Sequence, residues 1–381
     1  MVIRDVKKVR VRDVEMYAWS GLAQFQNTEH TADTISTLHK LLQKDRPNAK
    51  KQAEQIKFCL AQAKEYFVAS KAVTLATRPV MQYYGVMSMA LAESLLKQTA
   101  DTRLSVLRQE HNCHGLSMVL PSLPKISDSA NEVMQKLRAL PQVGKDAKPK
   151  GTFEVWRRSA RELPVGGEAK EVHGASFSSG FRALLIGDDA PFAALGKSGM
   201  SLGSCLENLP YMEDTLNRWG SRLSMIRATL AREHNQTNGN INYTFIVHPS
   251  HPDLVDQFNS QIVCSADFVN DLTVIEMPSG YILNYKENPH THVSFPCSTS
   301  ITTDATYFSC HKPQLSEFGN LYVALHIAGN FARYYPEIWI KHIESNSPLA
   351  SLIETLCTNA QERLPLLMLS EMTQKYHVIE R

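Results

Sequence analysis

The segment from Val80 to Lys97, VMQYYGVMSMALAESLLK, is apolar nearly all round a helical wheel. A helix of that pattern cannot present any side to water, so it has to lie in the middle of other elements. Arg78 and Pro79 break or restart whatever helix precedes it, and Pro79 fits the first turn of the new one. Gly85 is placed to let another element approach its backbone closely. The rest of the chain has to supply the cover for this helix.

Much of that cover is legible. From Ala49 to Lys71 the chain is rich in Ala, Lys, Gln and Glu, all good helix formers. Ile56, Cys59, Leu60, Ala63, Phe67 and Val68 recur at helical steps, which buries one face. Trp19, Leu22 and Phe25 form an earlier stripe, and Leu38, Leu41 and Leu42 a second. Residues 1–140 therefore read as helical. Helix returns after 312: LSEFGNLYVALHIAGNFARYY is long and periodic, and Pro336 starts a further helix at PEIWIKHI. Ser347 and Pro348 cap and start another, which Pro365 is expected to break.

Between these blocks the pattern changes. PQVGKDAKPKG, from Pro141, has no apolar period and reads as a linker. Phe153 and Val155 alternate like a half-exposed strand. Tyr243–Val247, Leu272–Ile275, Tyr281–Leu283, His292–Phe295 and Ala305–Phe308 are further strand candidates. Met277, Pro278, Ser279 and Gly280 form a hairpin turn between two of them. Helices are expected at Phe181–Ile186, Tyr211–Trp219 and Pro252–Ser260. The predicted fold class is α+β, mainly α. A bundle built from 1–140 and 312–381 carries a mixed α+β insertion at 141–311.

Composition limits the function classes. With 40 Lys+Arg against 38 Asp+Glu the formal net charge is +2, so nothing global marks a polyanion-binding protein. Any positive surface would have to be local. The seven cysteines stand at 59, 113, 205, 264, 297, 310 and 357, with no CxxC pair. No signal peptide is read at the start and no run of 18 apolar residues occurs, which suggests a reduced, cytoplasmic chain.

Several chemistries fail on spacing. Gly196, Lys197 and Ser198 look like the end of a phosphate loop. The glycine that should precede them is Pro191, so a Gly/Ser-rich turn is expected instead. Neither a nucleophile elbow nor a zinc-protease helix motif is present. His248 and His251 stand three apart in a Pro-bounded loop, a set too small for a metal on its own. No metal and no cofactor are expected.

The densest polar cluster is Arg108, Glu110, His111, Asn112, Cys113, His114 and Gly115. On a continuous helix Arg108 and His111 share a face, as do His111 and His114. Arg plus His can cleave RNA without a metal. His takes the 2′-OH proton or protonates the leaving oxygen, and Arg stabilises the phosphorane charge. The bland reading stands beside this one: Arg108 pairs with Glu110, and His114 caps a helix C-terminus. A second cluster runs from Asn330 through Arg333, Tyr334 and Tyr335 to Glu337 and Trp339. Arginine beside aromatics can stack on bases or rings. A helix–helix corner with Arg333 answering Glu337 is the favoured alternative.

Two segments of the chain resemble the YaaC-like family. One runs from Arg78 and Pro79 through Tyr83, Tyr84 and Gly85 to Leu96, followed by His114, Gly115, Leu116 and Ser117. The other runs from Ala332, Arg333, Tyr334, Tyr335, Pro336 and Glu337 to Trp339. It continues with Ser347, Pro348 and Leu349, then Arg363, Leu364 and Pro365. Their order matches that family from about residue 15 to the C-terminus.

Tyr83–Leu96 with His114 and Gly115 also resembles the HEPN superfamily. That likeness implies a HEPN-like helical bundle. Many HEPN proteins are metal-independent RNases of toxin–antitoxin and anti-phage systems, often homodimers, whereas others bind nucleotide or act as scaffolds. Their signature is Arg, four to six residues, then His, which Arg108 and His114 satisfy with five residues between them. The resemblance implies His114 as general acid/base, Arg108 as the charge stabiliser and His111 as an auxiliary. The implied partners are RNA or a partner protein of a bacterial defence system, with no membrane.

Overall fold

The computed structural model describes residues 2–97, 101–108, 110–160, 171–173, 176–178, 185–187, 193–234, 241–247, 253, 256–257, 273–277, 280–287, 299–301, 306–309 and 314–379. The architecture is α+β, mainly α.

The N-terminal helices are α1 (Val14–Leu22), α2 (Thr28–Leu38), α3 (Arg46–Ala72), α4 (Arg78–Lys97) and the single turn α5 (Leu104–Leu107). Side-chain oxygens start two of them. Asp13 accepts from Met16 N at 2.8 Å, and Asn27 accepts from Glu29 N and His30 N at 3.1 Å each. The helix predicted to be central is central: α4 is buried along most of its length and packs against α3. A Cβ on Gly85 would stand 2.6 Å from Phe67 Cε2, so glycine sets the approach of these two helices.

Next in order come α6 (Ala130–Lys136), α7 (Thr152–Ser159), α8 (Leu202–Leu206) and α9 (Glu213–Arg218). The C-terminal helices are α10 (Glu317–Tyr334), α11 (Pro336–Glu344) and α12 (Pro348–Thr373). Both α10 and α12 pack against α4, and α12 also lies along α1. One apolar cluster runs without a break from Trp19 to Met372. It includes Phe67 of α3, Leu95 of α4, Trp156 of α7, Leu202 of α8, Tyr322 of α10 and Leu356 of α12.

Strand β1 (Val2–Val9) pairs in parallel with the C-terminal strand Lys375–Ile379, with Val9 opposite Ile379. On its other edge it pairs antiparallel with Leu185–Gly187. Strands β2 (Leu116–Val119) and β3 (Arg138–Pro141) form a small antiparallel sheet with Met200–Ser201. The larger sheet is built mainly from Met225–His234, Ile241–Val247, Thr273–Met277, Gly280–Glu287, Thr299–Ile301 and Thr306–Ser309. Met277 pairs with Gly280 across the hairpin the sequence predicts there.

Several expectations need correction. Residues 152–159 are helix rather than strand, because Phe153 and Trp156 lie one turn apart and both turn inward. The span 1–140 contains strand at 2–9, 116–119 and 138–140 as well as helix. Leu185–Gly187 is strand, not the end of a helix. Pro365 does not break α12, which runs through it to Thr373. The missing N–H leaves one backbone bond unmade while buried residues on both sides hold the axis. Pro141–Lys150 is a docked loop rather than a free linker. Gln142 N donates to Gly115 O at 3.0 Å, and Lys150 N donates to Gln142 O at 2.9 Å. The expected strand at His292–Phe295 lies outside the described residues, as does most of the expected helix at Pro252–Ser260.

Candidate functional site

The turn from Arg108 to Gly115 is held by the start of α7. The first N–H groups of a helix lack intrahelical partners and need acceptors. No side chain caps α7, and the turn's own carbonyls take that place. Gly151 N donates to Glu110 O at 2.8 Å, Thr152 N to Cys113 O at 2.9 Å and Phe153 N to His114 O at 3.1 Å. Two left-handed glycines make this fit. Gly115 has φ +86° and Gly151 φ +94°, and a Cβ on Gly151 would come within 2.4 Å of the Gly115 backbone. The far end of α7 is anchored in turn, as Trp156 Nε1 donates to Glu93 Oε2 of α4 at 2.7 Å. Lys97 bonds Glu93 at 2.8 Å and also pairs with Glu371 of α12.

Helix α5 ends at Leu107, so the helical face predicted for Arg108, His111 and His114 does not form. Arg108 is exposed and has no hydrogen bond or ion pair among the described residues. Glu110, its expected partner, pairs with Arg158 instead. His111 is half-buried, and burial pushes its pKa down with a smaller push from the Arg108 charge. The backbone of His111 and Leu104 opposes that fall. Among the described residues its buried Nε2 has no hydrogen-bond partner.

His114 leaves the turn in another direction. Its Nδ1 lies 2.8 Å from the Tyr83 hydroxyl of α4. Burial lowers its pKa, and the Arg333 guanidinium lowers it further. The imidazole is thereby kept neutral near pH 7. Arg333, from the end of α10, donates from Nη1 to the Tyr84 hydroxyl at 2.7 Å. The Tyr84 ring lies 6.4 Å from the His114 ring. The structure thus joins the two clusters that the sequence kept apart, and the arginine acting on His114 is Arg333. Among the described residues no ion pair links Arg333 to Glu337. The helix corner itself is present, with Tyr335 stacked on Phe331 and Trp339 set edgewise to it.

Sequence reasoning missed His326. On α10, Tyr322, His326, Asn330 and Arg333 follow at steps of four, four and three, which places them on one stripe of the helix. Asn330 Nδ2 lies 3.2 Å from His326 Nδ1 and donates to His326 O at 2.7 Å. The His326 ring stands edge-on to Tyr83 at 5.1 Å. Burial pushes its pKa down to about 3, and the neighbouring His114 contributes in the same direction. Among the described residues its Nε2 and the Tyr322 hydroxyl are buried without hydrogen-bond partners. Tyr83 is raised far above the ordinary phenol range, chiefly by burial, so it remains a neutral hydroxyl.

This arrangement suits proton transfer. When Tyr83 accepts from Nδ1–H, Nε2 of His114 carries the lone pair and can act as a base. When Tyr83 donates into Nδ1, Nε2 carries the proton and can act as an acid. A rotating hydroxyl serves both states.

Other sequence candidates lie elsewhere. Gly196–Ser198 is an exposed turn leading into Met200–Ser201, with Gly199 N donating to Gly196 O at 2.9 Å. His248 and His251 are outside the described residues. Among the described residues no three metal-ligating side chains come together, and no helix is long and apolar enough to cross a membrane.

The YaaC-like protein family model matches residues 23–142 and 186–372, which include α3, α4, the Arg108–Gly115 turn and α10. The α7 helix that holds the turn falls between the two matched segments. No curated protein and no solved structure matches the chain. With most of its length covered by that match, the chain belongs to the YaaC-like protein family.

Proposed function

We propose that this protein is a metal-independent endoribonuclease with His114 as its proton-transferring group. The observation that carries this reading is the placement of His114 between Tyr83, which bonds its Nδ1 at 2.8 Å, and the Arg333 charge. In the proposed reaction His114 takes the proton from a ribose 2′-OH. The 2′-oxygen bonds to phosphorus, the P–O5′ bond breaks, and the leaving oxygen takes a proton from water. The products are a 2′,3′-cyclic phosphate and a 5′-hydroxyl. Charge on the phosphorane falls to Arg333, the arginine whose charge acts on His114. Arg108 and His111 remain candidates for contacts on the adjoining turn, with Arg108 exposed for a phosphate and His111 an auxiliary.

The assay is labelled RNA in EDTA with wild type, Arg333→Ala and Arg108→Ala. Cleavage that Arg333→Ala weakens more than Arg108→Ala supports the assignment. Unchanged cleavage in Arg333→Ala contradicts it. The resemblance of Tyr83–Leu96 with His114 and Gly115 to the HEPN superfamily is the ground for proposing a role as an anti-phage defence effector. Plaque counts on cells expressing wild type or His114→Ala test that role: equal counts would remove it.

A second reading is a non-catalytic scaffold that binds nucleotide or a partner protein, alone or as a homodimer. It is favoured by the half-buried state of His114 and by the absence of a bond between Arg108 and His114 among the described residues. Binding of RNA without any cleavage would select it.

A further inference from the structure

Next to His114 the surface carries a run of aromatic rings crossed by one arginine. The Tyr66 and Tyr84 rings stack at 5.6 Å with 26° between their planes. Arg333 reaches the Tyr84 hydroxyl, and its guanidinium carbon sits 5.2 Å over the Tyr334 ring. Tyr334 is 58% exposed although it is the last residue of α10, whose other aromatic rings are buried. The Arg333–Tyr84 bond fixes where the guanidinium can lie, so the charge is held rather than mobile.

Such a set matches the chemistry of an unpaired nucleobase. An aromatic ring and a guanidinium plane both stack on the face of a base, and the same guanidinium answers the adjoining phosphate. Bases inside a duplex have their faces covered by their neighbours and cannot use this surface. We infer that Tyr84, Arg333 and Tyr334 form a seat for an unpaired RNA base beside His114. This inference rests on the RNA-cleaving reading of that histidine and names its substrate as single-stranded.

The test is binding measured apart from cleavage. A fluorescein-labelled 2′-O-methyl oligonucleotide has no 2′-OH to activate, so its anisotropy reports binding alone. Three probes of equal sequence length are compared: the single strand, its duplex, and a single strand with abasic sites. The single strand is expected to bind, with the duplex and the abasic strand each much weaker. Tyr334→Ser, an exposed position, should weaken single-strand binding about 5- to 150-fold, the worth of one stacked base. Tyr84→Phe keeps the ring and releases Arg333, and a smaller loss is expected. Equal binding of all three probes, or wild-type binding by Tyr334→Ser, would overturn the seat. If wild type binds the strand but cuts no RNA, the nuclease reading fails and the seat stands. If wild type cuts and Tyr334→Ser loses no binding, the seat fails and the nuclease reading stands.

Discussion

Arg333 and Tyr84 are joined by a 2.7 Å hydrogen bond across 249 positions of sequence. That bond fixes the arginine whose charge lowers the pKa of His114. It ties the end of α10 to the middle of α4 and makes one site from two sequence clusters.

The first expectation concerns that charge. Removing it with Arg333→Gln should raise the His114 pKa, because a nearby cation disfavours the protonated imidazole. The rise should stop short of the ordinary histidine value, since burial, the larger cause, remains. Tyr84→Phe should move the pKa in the same direction by less. Proton NMR titration of the His114 ring reads both, and no movement in Arg333→Gln would separate the two residues.

The second concerns the two glycines. A Cβ at residue 151 meets the Gly115 backbone at 2.4 Å, and its φ of +94° is poor for any L side chain. Gly151→Ala should cost at least about 1 kcal/mol and loosen the turn that carries His114. Urea unfolding measures the first effect. Loss of the lowered His114 pKa measures the second. A variant as stable as wild type would show that the contact is not required.

The third concerns the buried charges beneath the site. Glu93 accepts from Lys97 and from Trp156 Nε1 with no exposure to water. Glu93→Ala takes one carboxylate from the buried Lys97 and the acceptor from Trp156 Nε1. A loss of about 3–5 kcal/mol is expected, the range for breaking one side of a buried pair. Chemical denaturation decides it, and a loss below about 1 kcal/mol would mean that the partners Lys97 keeps are enough to satisfy it.

The fourth is a pH dependence of stability. Burial holds His326 at about 3 and His377 at about 4 in the folded chain. Unfolded histidines protonate near ~6.5. Between those values the unfolded state binds more protons than the folded state, so stability falls as pH falls. The contribution is complete above pH ~6.5 and is lost as pH drops toward 4 and then 3. His326→Gln should flatten this slope. Urea midpoints at several pH values show it, and an unchanged slope would rule out His326 as a source.

The helices were readable because their periodicity is local. The buried α4 and the stripe from Ile56 to Phe67 follow directly from spacing. Helix α7 was hidden, since it is short and its start is capped by carbonyls of another segment rather than by its own side chain. Strand β1 was hidden because its partner, Lys375–Ile379, lies at the other end of the chain. His114 could be singled out as a histidine in a polar cluster. Its arginine could not, because local spacing favours Arg108 and only the packing of α10 on α4 brings in Arg333. The stripe of Tyr322, His326, Asn330 and Arg333 was the available signal.

The most direct measurement is RNA cleavage in EDTA by wild type and His114→Ala, with the product ends identified. The account expects wild type to leave 2′,3′-cyclic phosphate and 5′-hydroxyl ends, and His114→Ala to be slower by about 10²- to 10⁴-fold. No cleavage by wild type, or equal cleavage by His114→Ala, would contradict it.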